Sequence, residues 1–283
     1  MERIYDYLEY KGPFNCEYTT ALKAGNTSFH MHNNYEVYLL LKGSISYFVE
    51  QSCYHMHSGD IILFTNQEIH KATNLTEEPF TRLVIHLNPS FIRQCSSGQT
   101  NLLSCFQHRT PGIGNMISLS PQEQEQFCRY FHEIQHAIDQ PEYGSDRHTS
   151  ATMVELLLLV NRCYRQTSPV SHNATSHKIQ PVMEYIDQHL SEPLTLDSIA
   201  RGLSINKYYI SHLFKQETES TIFQYIQVKR IALAKQYLSD GCSVTDTCHQ
   251  AGFNDYCNFI RLFKKITGYT PGNYRKQIEG DDL

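Results

Sequence analysis

The last third of the chain carries one pattern twice, and that repeat constrains the fold more than any other feature. Thr195 precedes apolar residues at Leu196, Ile199, Ala200 and Leu203; 48 positions later Ser243 precedes Val244, Thr247, Cys248 and Ala251. Positions spaced by three and four form one face of a helix, and a Thr or Ser just before that face supplies an N-cap oxygen. A turn at Ser204-Ile205 leads to Asn206, a second cap. The helix after it has Ile210, Leu213 and Phe214 inward and Lys207, Tyr208, Ser211, His212 and Lys215 outward. In the second copy the turn carries Gly252-Phe253, Asn254 is expected to cap, and Phe259, Leu262 and Phe263 face inward. These three lie 49 positions after their counterparts, so the second turn is one residue longer. Asp255, Tyr256, Cys257, Asn258, Arg261 and Lys264 face outward. Between the copies, Ile222, Tyr225, Ile226, Ile231, Ala234 and Leu238 keep helical spacing. A continuous helix there spans roughly 25 Å at about 1.5 Å per residue and fixes the copies relative to each other.

Two short amphipathic helices joined by a tight turn make a helix-turn-helix, whose second helix enters the major groove with its first turns at base edges. One such corner occurs in many all-α domains and says little. Two of them, with matched cores and polar outer faces, on a helix whose length suits successive major grooves about 34 Å apart, point to double-stranded DNA.

Charge neither supports nor forbids this. Of the net −5, residues 1–177 hold 12 basic and 17 acidic side chains, and residues 178–283 hold 12 of each. A nucleic-acid binder is expected to be basic, yet Arg261, Lys264, Lys265, Arg275 and Lys276 form a run with no acidic residue among them. A solvated face is the alternative reading of that run. Nine cysteines without a Cys-x-x-Cys pair read as free thiols in a reducing cytoplasm. No run approaches the ~18 apolar residues of a membrane span, and the charged start of the chain lacks an apolar signal core. The expectation is a cytoplasmic protein with no membrane partner.

The first 90 residues read as strands: 36–41, 45–49 and 61–64 are short, rich in Val, Ile, Tyr and Phe, and bounded by turns at Lys42-Gly43-Ser44 and Ser58-Gly59-Asp60. From Ser120-Pro121 the period becomes helical through Phe127, Phe131, Ile134 and Ile138, and a second helix is expected over 148–165. Its apolar middle packs either on the strands of its own chain or on a second copy, the common route to a dimer. The polar stretch 167–177 has linker composition. The expected class is therefore α+β in two domains: a small antiparallel β-sandwich or barrel with trailing dimerisation helices over 1–166, a linker over 167–177, and an all-α domain over 178–283.

Residues 178–279 resemble the DNA-binding domain of AraC/XylS-type regulators. The matching residues are Leu196-x-x-Ile199-Ala200, Tyr209-Ile210-Ser211-His212-Leu213-Phe214-Lys215 and Arg230-Ile231-x-x-Ala234-x-x-x-Leu238. They continue with Gly252-Phe253-Asn254-Asp255, Phe259-x-Arg261-x-Phe263-Lys264-Lys265 and Gly268-Tyr269-Thr270-Pro271-x-x-Tyr274-Arg275. The resemblance implies seven helices and one asymmetric site read in two adjacent major grooves. It implies base-edge contacts from Tyr208, Ser211, His212, Tyr256, Cys257 and Arg261, with Asn258 beside them, and phosphate contacts from Lys207, Lys215, Lys264 and Lys265. Arg261 is the strongest of these, because a guanidinium pairs bidentately with guanine. Glu219 stands where the family usually has Gly, and Thr247-Cys248 where it has Ile-Ala; both read as drift.

The N-terminal part is similar to the two cupin motifs, through His30-x-His32-x-x-x-Glu36 followed by Gly43, and Gly59 followed by His70-x-x-x-Asn74. Thr65 and Gln67 replace the usual Pro and Gly of the second motif. This resemblance implies a small β-barrel in which His30, His32, Glu36, Tyr38 and His70 line an effector pocket. A sugar is the family expectation, with Tyr35, Tyr38 and Tyr47 to stack on it. If a metal were held, His30, His32, Glu36 and His70 would be its ligands; the expectation is no cofactor and no catalytic residue. The readings that remain open are a ligand-responsive regulator, a metal-dependent cupin oxygenase or isomerase carrying a DNA-binding domain, and a constitutive DNA binder whose barrel only dimerises. The regulator reading implies a small-molecule effector, RNA polymerase and a second copy of the chain as partners, in the manner of an activator.

Overall fold

The computed structural model describes residues 12–22, 28–107, 109–166, 173–174 and 178–281. The first half contains β1 (Phe14–Ala21), β2 (Tyr35–Lys42), β3 (Ile45–Val49), β4 (Ser52–Met56), β5 (Asp60–Phe64), β6 (His70–Asn74), β7 (Phe80–Leu87), α1 (Pro89–Cys95), β8 (Met116–Ser118), α2 (Pro121–Asp139), α3 (Ser145–Gln166) and β9 (Asn173–Ala174). The second half is helical: α4 (Gln180–Gln188), α5 (Leu196–Leu203), α6 (Lys207–Thr218), α7 (Ile222–Ser239), α8 (Val244–Gln250), α9 (Tyr256–Thr267) and α10 (Pro271–Asp281). These are the seven helices the resemblance implies.

The strands form two sheets, in the orders β1-β7-β2-β5-β8 and β6-β3-β4-β9. No ladder closes them into a barrel among the described residues, which corrects the barrel expectation. The alternation of β2 shows why the layers stack. Tyr38 and Leu40 face the four-stranded sheet and meet Tyr47, Tyr54, Phe64 and Ala72. Val37 and Leu39 face the other way, where Phe127, Phe131 and Ile134 of α2 and Met153, Leu156, Leu157 and Val160 of α3 cover them. A strand apolar on both faces belongs to a middle layer. The apolar stripe of α3 is thus covered within its own chain. Buried Asn161 on α3 fastens the loop beside it, accepting from the Cys105 amide at 3.0 Å and donating to the carbonyl of Leu102 at 3.0 Å. Of the expected linker, residues 173–174 pair with β4 through Ser52 and Cys53; the rest of 167–177 lies outside the described residues.

The helical half is built by its caps. Thr195 accepts from the Ser198 amide, Asn206 from the Tyr208 and Tyr209 amides, and Ser243 from the Asp246 amide. In the second copy the cap is Asp255, accepting from the Asn258 amide, not Asn254. Asp255 lies 49 positions after Asn206, so the longer turn moves the cap with it. Cys248 packs with its Sγ 3.7 Å from the Phe253 carbonyl, and Thr247 is buried beside it without a hydrogen bond to its hydroxyl. All nine cysteines are free.

After each second helix the chain enters the left-handed region, at Glu219 (φ 50) and at Gly268 (φ 81). A non-glycine residue pays about 1 kcal/mol for that conformation. The Glu219 carboxylate lies 3.8 Å from the Lys71 ammonium but is 63% exposed, so that contact contributes little. Glu219→Gly is expected to raise the melting temperature by about 2–4 °C, read by circular dichroism. A lower melting temperature would show that the contact with Lys71 outweighs the backbone strain.

Candidate functional site

Two groups of side chains are candidates, one on each half. On the helical half, the first turns of α6 and α9 stand free of the core. Tyr208 is 74% exposed and Tyr256 45%. Ser211, His212, Lys215, Cys257, Asn258, Arg261, Lys264 and Lys265 are exposed as well. Each helix buries the opposite face, with Ile210, Leu213 and Phe214 in α6 and Phe259, Leu262 and Phe263 in α9. Lys207 differs from the others: it is half-buried, its ammonium lies 2.8 Å from Asp197 of α5, and it sits 5.6 Å from the Tyr208 ring centroid.

On the other half, four imidazoles and a carboxylate converge. His30 and His70 are held together by a pair of backbone hydrogen bonds of 3.0 and 2.9 Å. Their rings lie 4.4 Å apart, and each ring is 5.0 Å from that of His32. His32 Nε2 sits 2.8 Å from Glu36 Oε2 and 3.2 Å from His70 Nε2. The fourth imidazole, His86, was not foreseen in the sequence. It lies on β7 directly opposite Glu36 of β2, with Nδ1 3.8 Å from the Glu36 carboxylate and its ring 5.1 Å from that of His32. The strand register, and no motif, brings it there.

The hydrogen bonds assign the tautomers. His30 Nδ1 faces the Ser28 carbonyl and His70 Nδ1 the Glu68 carbonyl, each at 3.1 Å. A carbonyl only accepts, so in each neutral ring Nδ1 carries the proton and Nε2 keeps its lone pair. Burial lowers the pKa of His30, His70 and His86, aided by His70 and His32 in the case of His30 and by His32 in the others. His70 and His86 fall to about 4, and His30 lies well below its ordinary value. Burial pushes the Glu36 carboxyl up, but the hydrogen bond from His32 and the surrounding imidazoles outweigh it and hold Glu36 well below the usual carboxylate range. The result is an anionic Glu36 beside three neutral rings, those of His30, His70 and His86.

This donor set fits a metal ion, which would be shared by His30, His32 and His70 or by His32, Glu36 and His86; in each trio the ligand atoms lie within 4.8 Å of one another. Imidazole and carboxylate suit Zn, Mn, Fe or Ni, and the carbonyls of Ser28 and Glu68 orient two of the rings as a metal site requires. His32 belongs to both trios. Tyr38, expected in the pocket, is fully buried, with its ring 5.1 Å from Tyr47 and 5.5 Å from the Arg82 guanidinium, so it packs between the sheets. Tyr35 stacks on Phe106 at 4.8 Å, away from the imidazoles. That pair lines a cleft of about 420 Å³ whose other wall is α7, with Glu68 and Arg109 on one side and Lys229 and Leu233 on the other. The Arg109–Glu68 ion pair is buried, and Glu68 also accepts from the Gly112 amide and the Asn115 side chain. Sequence reading gave no sign of this hub, since its partners come from a loop 41 to 47 residues away.

Residues 20–157 match the family model of an AraC-like ligand binding domain, and residues 199–277 that of a helix-turn-helix domain. The HTH-type transcriptional regulator YdeC of Bacillus subtilis is 23% identical over 98% of this chain and 96% of its own length. The regulatory protein SoxS of Salmonella typhimurium is 30% identical over 35% of this chain, which spans 94% of SoxS. A second Bacillus subtilis regulator, YtdP, is 38% identical over 34% of this chain, which spans only 13% of YtdP. All three of these relatives are named as transcription regulators or regulatory proteins. With a ligand-binding half and a helix-turn-helix half in the order of that family, this chain belongs to the AraC family of transcription regulators.

Proposed function

We propose that the protein is a ligand-responsive transcription regulator that binds one promoter site in two adjacent major grooves. The observation that carries this is the pair of matched units, each offering the exposed first turns of a capped helix. Arg261 pairs with guanine, Tyr208 and Tyr256 contact thymine methyls, and Ser211, His212, Cys257 and Asn258 complete the base-edge set. Lys215, Lys264 and Lys265 meet phosphates, which position the protein without reading sequence. Lys207 joins them by exchanging Asp197 for a phosphate. The effector acts in the N-terminal half, around His30, His32, Glu36 and His70, and shifts the chain between states for which it has different affinity. The protein works in the cytoplasm as a homodimer and meets RNA polymerase at the promoter.

The test is a fluorescence titration of purified protein against its own upstream DNA and an unrelated fragment at two salt concentrations. Binding is expected to be tighter to the cognate fragment, and Arg261→Ala is expected to weaken it by roughly 5- to 100-fold, the value of one bidentate base contact. Equal and strongly salt-dependent binding to both fragments would reduce the interaction to phosphate attraction.

A second reading concerns the imidazole cluster. His32 Nε2 and His70 Nε2 lie 3.2 Å apart, a spacing that suits a single ion between them better than a sugar. A bound ion would supply fixed positive charge beside Glu36. Titration calorimetry of chelator-treated protein with Zn²⁺ is expected to show saturable binding, weakened at least about 10-fold by His32→Ala. Unchanged affinity in that variant would remove the metal from this cluster.

A further inference from the structure

The N-terminal half touches the helical half at two places that the repeat makes equivalent. Lys71, on β6, is fully buried and donates to the carbonyl of Thr218 and to Ser220 Oγ. Asn33 donates through Nδ2 to the carbonyl of Thr267 at 2.8 Å. Thr218 is the last residue of α6 and Thr267 the last residue of α9, and the two stand 49 positions apart, the shift that relates the second helices of the repeat. Each threonine hydroxyl turns back onto its own helix, to Phe214 and to Phe263. Each backbone carbonyl is one of the last four in its helix, which have no partner within the helix. One sensor residue therefore caps the C-terminal end of each helix that carries the candidate base contacts. The first cap brings a cation to the negative end of the helix dipole.

The surroundings make these contacts rigid. Lys235 of α7, also fully buried, reaches in the opposite direction and donates to the carbonyls of His32, at 3.1 Å, and Asn66. Phe29 packs its ring 4.9 Å from that of Tyr225 on α7. Lys229 of α7 binds Glu50 at 2.7 Å and Asp187 at 3.0 Å. These contacts leave the first turns of α6 and α9 exposed. The sensor half holds the rear ends of both helices and the helix between them, and leaves their DNA-facing ends clear.

We propose that Lys71 and Asn33 are positioning residues for DNA recognition: by capping Thr218 and Thr267 they fix the placement of the two recognition helices relative to each other, and so the spacing of the two DNA segments the protein accepts. This rests on the regulator reading above and adds a role to the sensor half that needs no effector. It also supplies a route by which an effector is felt. Asn33 follows His32 directly and Lys71 follows His70; on β6 successive side chains point to opposite faces, so the strand that presents His70 to the imidazole cluster presents Lys71 to α6. A shift of either histidine moves a cap.

The experiment uses the full chain and a 30-base-pair duplex selected from random sequence by the wild-type protein, with versions lengthened or shortened by one base pair between the two footprinted segments. Wild type is expected to prefer the selected spacing by about 10-fold or more. The double variant Lys71→Met/Asn33→Ala is expected to lose most of that preference. Asn161→Ala serves as the comparison, because it unfastens the loop at 101–107 and touches neither cap; it is expected to lower the melting temperature while keeping the preference. If the double variant keeps the spacing preference, or binds all duplexes more tightly, the positioning role is wrong, and in the second case the contact is an inhibitory lock. If wild type selects no duplex, the regulator reading fails first, and this inference with it.

Discussion

Helix α7 has almost no side it can give to water, and the arrangement of the chain follows from covering it. Ile222, Tyr225, Ile226, Val228, Ile231, Ala234, Lys235 and Leu238 are all buried, a set that runs around the helix instead of along one stripe. An ordinary surface helix buries about a third of its circumference, and one buried all round needs partners on every side. The two helix-turn-helix units take two of those sides, and Phe29, Phe48, Met31 and Ile69 of the sheet-rich half complete the same core. The two polar exceptions confirm the rule. Lys235 is buried against the carbonyls of His32 and Asn66 across the boundary between halves, and the partly buried Lys229 pairs with Glu50 across that boundary and with Asp187 of its own half. Removing either set of acceptors would leave a polar group in the interior short of partners, so the halves are joined by chemistry as well as by area.

What was legible in the sequence is what local physics decides. Caps at Thr195, Asn206 and Ser243, the start of α2 at Ser120-Pro121, and the helix between the repeats all rest on side chains within four residues of the backbone groups they satisfy. The cap of α9 was misplaced by one residue because Asn254 and Asp255 both suit the role and only the length of the turn chooses between them. The strands of the first half announced themselves by composition, but their pairing did not. β2 is apolar on both faces and can sit in a barrel wall or in the middle of three layers; α2 and α3, far along the chain, decide for the layers.

The candidate sites divide in the same way. His30, His32, Glu36 and His70 were visible because two of the spacings are short, while His86 enters through register with Glu36, and register is a property of the sheet. Lys71 and Lys235 are the clearest cases of what sequence hides. Single lysines in a strand and in a helix read as solvent-facing, since that is where lysine is nearly always found. Their burial is set by surfaces that meet only when both halves are folded.

The same meeting bears on Glu219, which stands where the family usually has Gly. Glu219 and Gly268 are equivalent positions, both left-handed, and glycine is the residue that adopts that conformation without strain. The copies differ in the sensor residue that faces each one. Opposite Glu219 stands the buried Lys71 ammonium, 3.8 Å from the carboxylate; opposite the turn at Gly268 stands the neutral amide of Asn33, bonded to the residue before it. An acid near a cation and no side chain against an amide are each complementary, although the exposure of Glu219 keeps the first contact weak. The two units therefore differ where each meets the sensor half, as they also do at Thr247-Cys248 in the core and in the length of the turn before the second cap.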